Sequence, residues 1–411
     1  MRSLITNALV FDGHQDGLIA DHVIGIEHGR IVHFAREAWD KAPDRTIDAG
    51  GKVLMPGLID AHYHAYAGIE DFFLLEQMPQ SYLAHHARNV LGASLNRGFT
   101  TVRDVAGGDY GIWRAVEEGV FAGPRFFFGD KALSQTGGHG DVRKAHEGHH
   151  QQGCSCCNVP GVLSRLVDGE DAVRKAAREI MRRGAHHIKI MASGGVSSPT
   201  DPVWMTQFSE GEITAIVEEA SRWRGYVAAH SYGADAIMRA ARLGVRSFEH
   251  GNFIDAEAAA VVAENHAFVV PTLTAYEDFP GNDEEGNTAS DMGGLDEFRR
   301  AGREAIALCV EAGVKLGFGT DLFGDGHQHQ LQEFRTRSDV QKPYDVLRSA
   351  TGINAEILQR PDDIGCVKQG AFADLILIDG NPLEDLSLFY GERSAVSLVM
   401  KEGQIVRHDA G

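Results

Sequence analysis

The amino-acid sequence predicts an α/β protein: a (β/α)8, TIM-like barrel with a small β-sandwich domain built from both chain termini. Two observations lead there. Through the middle of the 411 residues, eight short apolar runs (VLMPGLIDAH, TTVRD, PRFFFGDKA, HHIKIMA, YVAAHSY, RSFEHG, AFVVPTL and KLGFGTD) alternate with helical patterns, the rhythm of parallel strands joined by crossover helices. At the ends the texture changes to alternating runs broken by Gly and Asp, SLITNALVFDG and HVIGIEHGRIVHFA early, ADLILIDGNP and SLVMKEGQIVRH late, which is the pattern of hairpins. An open sheet with extra strands is the alternative to a closed barrel.

The expected boundaries follow in chain order. Residues 1–54 form the first part of the β-sandwich, 55–358 the barrel and 359–411 the returning part; chain ends that meet in space suit such an arrangement. Stretches such as GEDAVRKAAREIMRRGA and SEGEITAIVEEASRWRG carry apolar residues at helical spacing, with Gly near the C-terminal end. After the third strand the rhythm breaks, and residues 140–169 read as an insertion that shapes the rim of the barrel mouth.

Composition narrows the function. The balance of 39 basic against 58 acidic residues, a formal charge of -19, excludes phosphate backbones and anionic membranes as natural partners. The N-terminal stretch lacks the continuous apolar core of a secretory signal. Five cysteines, three crowded at Cys154, Cys156 and Cys157, make no spaced disulfide framework, so a cytoplasmic protein is expected.

Chemistry concentrates where the strands end. The first run closes on Asp60-Ala61-His62-Tyr63-His64, and alternate strand residues share a face, so His62 and His64 project together. Paired imidazoles chelate a borderline divalent metal. The fifth run ends at His230, the sixth at His250 and the eighth at Asp321, and the C-terminal ends of parallel barrel strands converge on one rim. Buried histidines satisfied by neighbouring carbonyls are the structural alternative.

Lys189 sits mid-strand between Ile188 and Ile190, where an unpaired ammonium carries a large desolvation cost. Burial lowers a lysine pKa, and a neutral amine can add carbon dioxide to give a carbamate, an anionic ligand for two metals. A salt bridge to a barrel acid and a Schiff-base lysine are the alternatives; beside four histidines and an aspartate, the carboxylated form of Lys189 is favoured.

The set Pro56-Gly57-Leu58-Ile59-Asp60, His62 and His64, Lys189, His230, His250 and Asp321, together with the C-terminal stretch from Ile364 to Leu375, resembles the amidohydrolase superfamily over essentially the whole chain. More narrowly, Thr136-Gly137-Gly138-His139-Gly140, Met191-Ala192-Ser193-Gly194-Gly195 and His230-Ser231-Tyr232 look like the branch of microbial Xaa-Pro dipeptidases, with ochratoxin-cleaving amidases nearby. The resemblance implies a binuclear site with two divalent cations, zinc being the ion that imidazole-rich sites suit and manganese or cobalt the alternatives. It implies that His139 supports the oxygen of the tetrahedral intermediate and Tyr232 holds the substrate α-carboxylate. Asp321 is expected to shuttle the proton from the attacking water to the leaving nitrogen. Val196 and Tyr276 are assigned to the substrate pocket.

The expected substrate is a small molecule, a dipeptide or N-acyl amino acid with a free carboxylate, with Xaa-Pro the first choice on family similarity. Carboxypeptidases for Arg, Lys or hydrophobic residues, ochratoxin-type amidases and imidazolone-opening cyclic amide hydrolases are the rivals. Glu277 and Asp278 keep a basic C-terminal residue open. Outside enzymes, the rival is an inactive barrel serving as an assembly scaffold, against which the full ligand set counts. A homo-oligomer is expected from the branch. Three smaller readings complete the set: Arg103 and Asp104 as a structural ion pair, Gly326-His327-Gln328-His329 as a solvated loop, and His149, His150, Cys154, Cys156 and Cys157 as a loop packed on itself in preference to a third metal site.

Overall fold

A computed structural model describes residues 1–76, 78–144, 161–277 and 294–409. Its strands in chain order are β1 (Arg2–Val10), β2 (Ile19–Glu27), β3 (Arg30–Ala35), β4 (Arg45–Asp48), β5 (Val53–Pro56), β6 (Leu58–Tyr63), β7 (Phe99–Asp104), β8 (Arg125–Phe128) and β9 (Ala132–Ser134). They continue as β10 (Ser164–Leu166), β11 (Ile188–Met191), β12 (Val227–Gly233), β13 (Ser247–Phe253), β14 (Phe268–Val270), β15 (Lys315–Leu316), β16 (Leu375–Ile378), β17 (Val396–Lys401) and β18 (Gln404–His408).

Strands from both chain ends share one eight-stranded sheet, ordered β18-β17-β16-β5-β1-β2-β3 with β4 beside β1. The sheet curls over itself: Ile31 N–H donates to the Ala371 carbonyl at 2.9 Å and Gly370 N–H to that of Ile31 at 2.8 Å, bringing β3 to the lead-in of β16. Ile5, Val10, Ile24, Ile31, Leu375 and Leu398 fill the space so enclosed. Period-two alternation explains which residues turn inward, and the register slips between Ile5 and Ala8, where Asn7 adopts a left-handed φ of 55°.

The remaining strands are parallel and lie in two groups, β6-β7-β8 and β10-β9-β11-β12-β13-β14-β15. All residues of β6 and β7 are buried, as expected for parallel strands covered on both faces. At one seam Ala61 N–H donates to the Phe318 carbonyl at 2.8 Å, and at the other His186 N–H donates to that of Phe128 at 2.9 Å. The two long helical patterns form helices Glu170–Arg182 and Glu210–Arg222. Ser209 and Glu212 close the N-terminus of the second with a reciprocal capping box.

One expected strand is divided. Val53–Pro56 pairs antiparallel with β16, whereas Leu58–Tyr63 pairs parallel with β7. The break falls at Gly57, where a Cβ would lie 2.2 Å from the Thr100 hydroxyl, so only glycine lets the chain pass from one sheet to the other. Among the described residues no helix is long and apolar enough to cross a membrane.

Asn354 holds the seam behind the first and last parallel strands. Its amide donates to the carbonyls of Ile59 at 2.6 Å and Phe318 at 2.8 Å, and its side-chain oxygen accepts from Phe318 N–H at 3.0 Å. Substituting Asn354→Leu removes these three buried hydrogen bonds, leaving the Phe318 carbonyl only its bond from Ala61 N–H, and is expected to lower the unfolding free energy by about 3 kcal/mol. A urea titration reads this as a lower midpoint at unchanged slope; a midpoint equal to wild type would show that the seam is held elsewhere.

Candidate active site

Ten side chains singled out in the sequence surround one cavity at the C-terminal ends of the parallel strands: His62, His64, His139, Lys189, Val196, His230, Tyr232, His250, Tyr276 and Asp321. Glu76, Val142, Leu163, Met191 and Phe323 complete much of the wall. Among the described residues, His62, His250 and Asp321 each offer a ligand atom, and these atoms lie within 4.8 Å of one another.

Hydrogen bonding fixes which nitrogens face inward. His62 Nδ1 meets Glu249 Oε2 at 2.8 Å, and His64 Nδ1 meets the Ala106 carbonyl at 2.9 Å. A carboxylate and a carbonyl can only accept, so both Nδ1 atoms carry hydrogen and both neutral rings present an Nε2 lone pair. Those lone pairs lie 3.3 Å apart and meet Asp321 Oδ1 at 3.2 and 3.0 Å. Three acceptors at such separations repel unless positive charge, a proton on one imidazole or a metal ion, sits among them. A divalent metal meets that requirement with the borderline nitrogen and oxygen donors it favours.

The electrostatics agree. Burial works against a charged His64, yet its hydrogen bond to Asp321 and that carboxylate's charge leave its pKa raised. Asp321 is also penalised by burial, but His62 and His64 hold it well below the usual carboxylate range. Burial drives His230 and His250 well below the ordinary imidazole value. His230 Nε2 lies 3.1 Å from the Gly194 carbonyl, which makes it the donor and leaves Nδ1 as the acceptor. Burial lowers Lys189 to about 8, opposed by the charges of Glu249 and Asp321.

Two of these residues occupy left-handed backbone. His250 has φ 73° and Asp321 φ 52°, and Thr272, which meets His250 Nδ1 at 2.8 Å, has φ 49°. Regular strand geometry sends neighbours to opposite faces. The twist at His250 lets both it and Glu249 serve the cavity side, which is why an alternation argument finds one and passes over the other.

Several readings need correction. Arg103 does not pair with Asp104: it donates to Glu249 at 2.8 Å and to the Ser247 hydroxyl at 2.8 Å, while Asp104 accepts from Ala65 N–H at 2.6 Å and Gly108 N–H at 2.8 Å. Consecutive strand residues point apart, so the two could not meet. His327 is not solvated but buried in the turn Gly324–His329 against Tyr63, ring centroids 5.0 Å apart. Glu277 is engaged by Arg303 at 2.6 Å and does not line the cavity. His149, His150, Cys154, Cys156, Cys157 and Asp278 lie outside the described residues.

Sequence pattern alone does not mark Thr272, Ser198 or Asp201, which support the site from behind. Glu249 carried a signal, since an acid between Phe248 and His250 in a buried strand faces the same desolvation cost as Lys189.

Residues 53–406 match the amidohydrolase family. Ochratoxinase from Aspergillus niger is 34% identical over 367 residues, 86% of this chain and 76% of that protein. A prolidase solved in complex with N-methylphosphonate-L-proline is 42% identical, with a TM-score of 0.93 over 99% of this chain and 100% of the other. A Xaa-Pro dipeptidase solved with methionine in its active site is 29% identical, with a TM-score of 0.85 over 98% and 99%. The chain belongs to the amidohydrolase family, and it is a hydrolase acting on amide bonds.

The Glu249 contact makes a direct prediction. Carboxylates that orient a metal-ligating histidine are worth roughly 10–100-fold in metal affinity, so Glu249→Gln is expected to weaken divalent-metal binding by that factor in chelator competition. Wild-type affinity in the variant would remove Glu249 from the site.

Proposed function

We propose that this chain is a binuclear metal-dependent hydrolase that cleaves the amide bond of dipeptides or N-acyl amino acids with a free C-terminal carboxylate, Xaa-Pro being the preferred class. The observation that carries the reading is the convergence of the His62 and His64 acceptor nitrogens on Asp321 in a buried cavity. His62 and His64 would hold one cation and His230 and His250 the other, with Lys189 between them and Asp321 completing the set. Zinc fits these donors best. When bound, the cations supply Lewis-acid polarisation of the amide carbonyl and acidify the attacking water.

The chain's own groups do the rest. An amine lowered to about 8 is partly neutral near neutral pH; Lys189 Nζ adds carbon dioxide, releases a proton and becomes an anion in place of a cation. Asp321 takes the proton of the attacking water on its carboxylate and delivers it to the leaving nitrogen. His139 stabilises the developing oxyanion. Tyr276 donates its hydroxyl hydrogen to Tyr232 at 3.0 Å, which leaves the Tyr232 hydrogen for an acceptor in the cavity, the substrate carboxylate. Val196 and Tyr276 line the side-chain pocket beside it.

Similarity to a prolidase and a Xaa-Pro dipeptidase supports proline as the released residue. A hydrophobic residue in an ochratoxin-type amide is the second reading, favoured by the wall of Val142, Leu163, Met191 and Phe323. The same reading closes the two parallel sheets into one (β/α)8 barrel, supported by hydrogen bonds at both seams. It takes residues 55–358 as that barrel between the β-domain parts 1–54 and 359–411.

Protein reconstituted with zinc and bicarbonate is expected to hydrolyse Xaa-Pro dipeptides fastest within a panel that includes Xaa-Arg and N-acyl amino acids, and to lose turnover on chelation. No turnover across the panel would sink the reading. Asp321→Asn is expected to cut kcat by roughly 10²-fold or more, the proton-transfer contribution, while metal analysis still finds bound zinc; near-normal kcat would remove the proton role. Tyr232→Phe should raise KM for free-carboxylate substrates about tenfold, one lost hydrogen bond to a charge, and leave carboxyl-amidated analogues unchanged. Equal effects on both would argue against the contact.

A further inference from the structure

His139 faces the cavity from the turn after β9, and the loop that follows β11 reaches round to its back. His139 Nδ1 lies 2.7 Å from the Ser198 hydroxyl and 3.6 Å from Asp201 Oδ2. Asp201 is fully buried. Its Oδ2 accepts from Gly195 N–H at 3.2 Å and from the Gln207 amide at 3.2 Å, and the other end of that amide accepts from the His139 backbone N–H at 3.0 Å. Asp201 Oδ1 is buried without a hydrogen-bond partner among the described residues, and the one ion-pair partner found for the carboxylate there is His139.

Two further contacts confine the ring. It stacks on His230 with centroids 4.0 Å apart and planes at 18°. On Gly195, a Cβ would fall 1.9 Å from the His139 ring, so the imidazole occupies the place of a side chain that Gly195 lacks. The glycines of Met191-Ala192-Ser193-Gly194-Gly195 thus have a physical use: they let backbone and ring approach closely.

Serine, histidine and aspartate together suggest a nucleophilic relay, which this geometry forbids. In such a relay the serine and the carboxylate address different ring nitrogens. Here Ser198 and Asp201 both address Nδ1, and neither lines the cavity that His139 lines. We infer that Asp201, with Ser198 and Gln207, is a positioning residue: Asp201 and Ser198 clamp the Nδ1 edge of His139 and Gln207 ties Asp201 to the His139 backbone, so that the Nε2 edge stays turned to the reacting carbonyl. This rests on the proposed amide hydrolysis, in which His139 meets the oxyanion. A buried carboxylate anchored to two loops is a stiffer support than a serine hydroxyl alone, because its bonds to Gly195 and Gln207 fix it before the ring arrives.

A double-mutant cycle tests this on the zinc-loaded full chain, using whichever Xaa-Pro or N-acyl substrate wild type turns over. His139→Ala is expected to lower kcat about 10²-fold, the effect of removing one oxyanion donor. Asp201→Asn is expected to lower kcat about tenfold or more, with KM within twofold and zinc content unchanged. In the His139→Ala background, Asp201→Asn should then cost nothing further, because a residue acting through another loses its effect when that other is gone. A crystal structure of Asp201→Asn should show the His139 ring turned from its stack on His230. Losses that multiply in the double variant, or wild-type kcat in Asp201→Asn, overturn the assignment. Where Asp201→Asn does not fold, Ser198→Ala takes its place in the cycle: a loss of kcat that vanishes in the His139→Ala background supports the clamp, and losses that multiply overturn it. Absence of wild-type turnover on every substrate instead indicts the amide-hydrolase reading and is distinguishable from either result.

Discussion

Arg103 holds Glu249 as a carboxylate, and that charge decides which nitrogen of His62 carries hydrogen. Burial alone would push Glu249 upward, but the guanidinium, with His62 and Lys189, keeps it well below the usual carboxylate range. A buried pair of this kind is weak evidence for stability, because desolvation offsets much of the attraction. Its value here is direction. With Glu249 ionised, His62 must donate from Nδ1, and its Nε2 must face Asp321 as an acceptor. Reverse that one bond and the three acceptors that call for a cation no longer converge.

Backbone strain serves the same end. His250, Thr272 and Asp321 adopt left-handed conformations, each costing on the order of 1–3 kcal/mol for a residue with a side chain. Such residues persist only where their surroundings over-determine them. Asp60 accepts from the Thr320 N–H at 3.2 Å, the Thr320 hydroxyl at 2.6 Å and the Gln330 amide at 2.8 Å, while Asp321 N–H donates to the His62 carbonyl at 2.9 Å. The end of the last parallel strand is therefore tied to the first strand on both sides of Asp321. Fixing the carboxylate against His62 and His64 in advance is what a preorganised site requires.

Much of this was legible in the sequence because its largest effects are periodic or costly. Period two brings His62 and His64 to one face, and burial of a charged amine singles out Lys189. Strand ends on a parallel sheet bring together residues far apart in the chain. What escaped has equally physical causes. Arg103 and Asp104 are neighbours in sequence, so they seem paired, yet the pleat separates them and Arg103 finds an acid 146 residues away. Glu249 escaped because the φ of His250 breaks the alternation, and no residue type announces a left-handed histidine. Gly57 reads as part of one continuous apolar run, and only its approach to Thr100 shows that two sheets begin there.

The cavity wall bears on selectivity. Away from the imidazoles it is largely apolar, with Val142, Leu163, Met191, Val196 and Phe323, and an apolar pocket separates substrates that differ by one methylene only by about 1–3 kcal/mol. Groups built to hydrogen-bond discriminate far more sharply, since a substrate lacking the partner leaves a buried polar group unpaired. Tyr232 is such a group: buried, supplied with a hydrogen bond by Tyr276, and left with one hydrogen to give. On the proposed reading the enzyme is therefore strict about the carboxylate and tolerant of the side chain beside it. That balance suits a chain that is similar both to a prolidase and to an ochratoxinase.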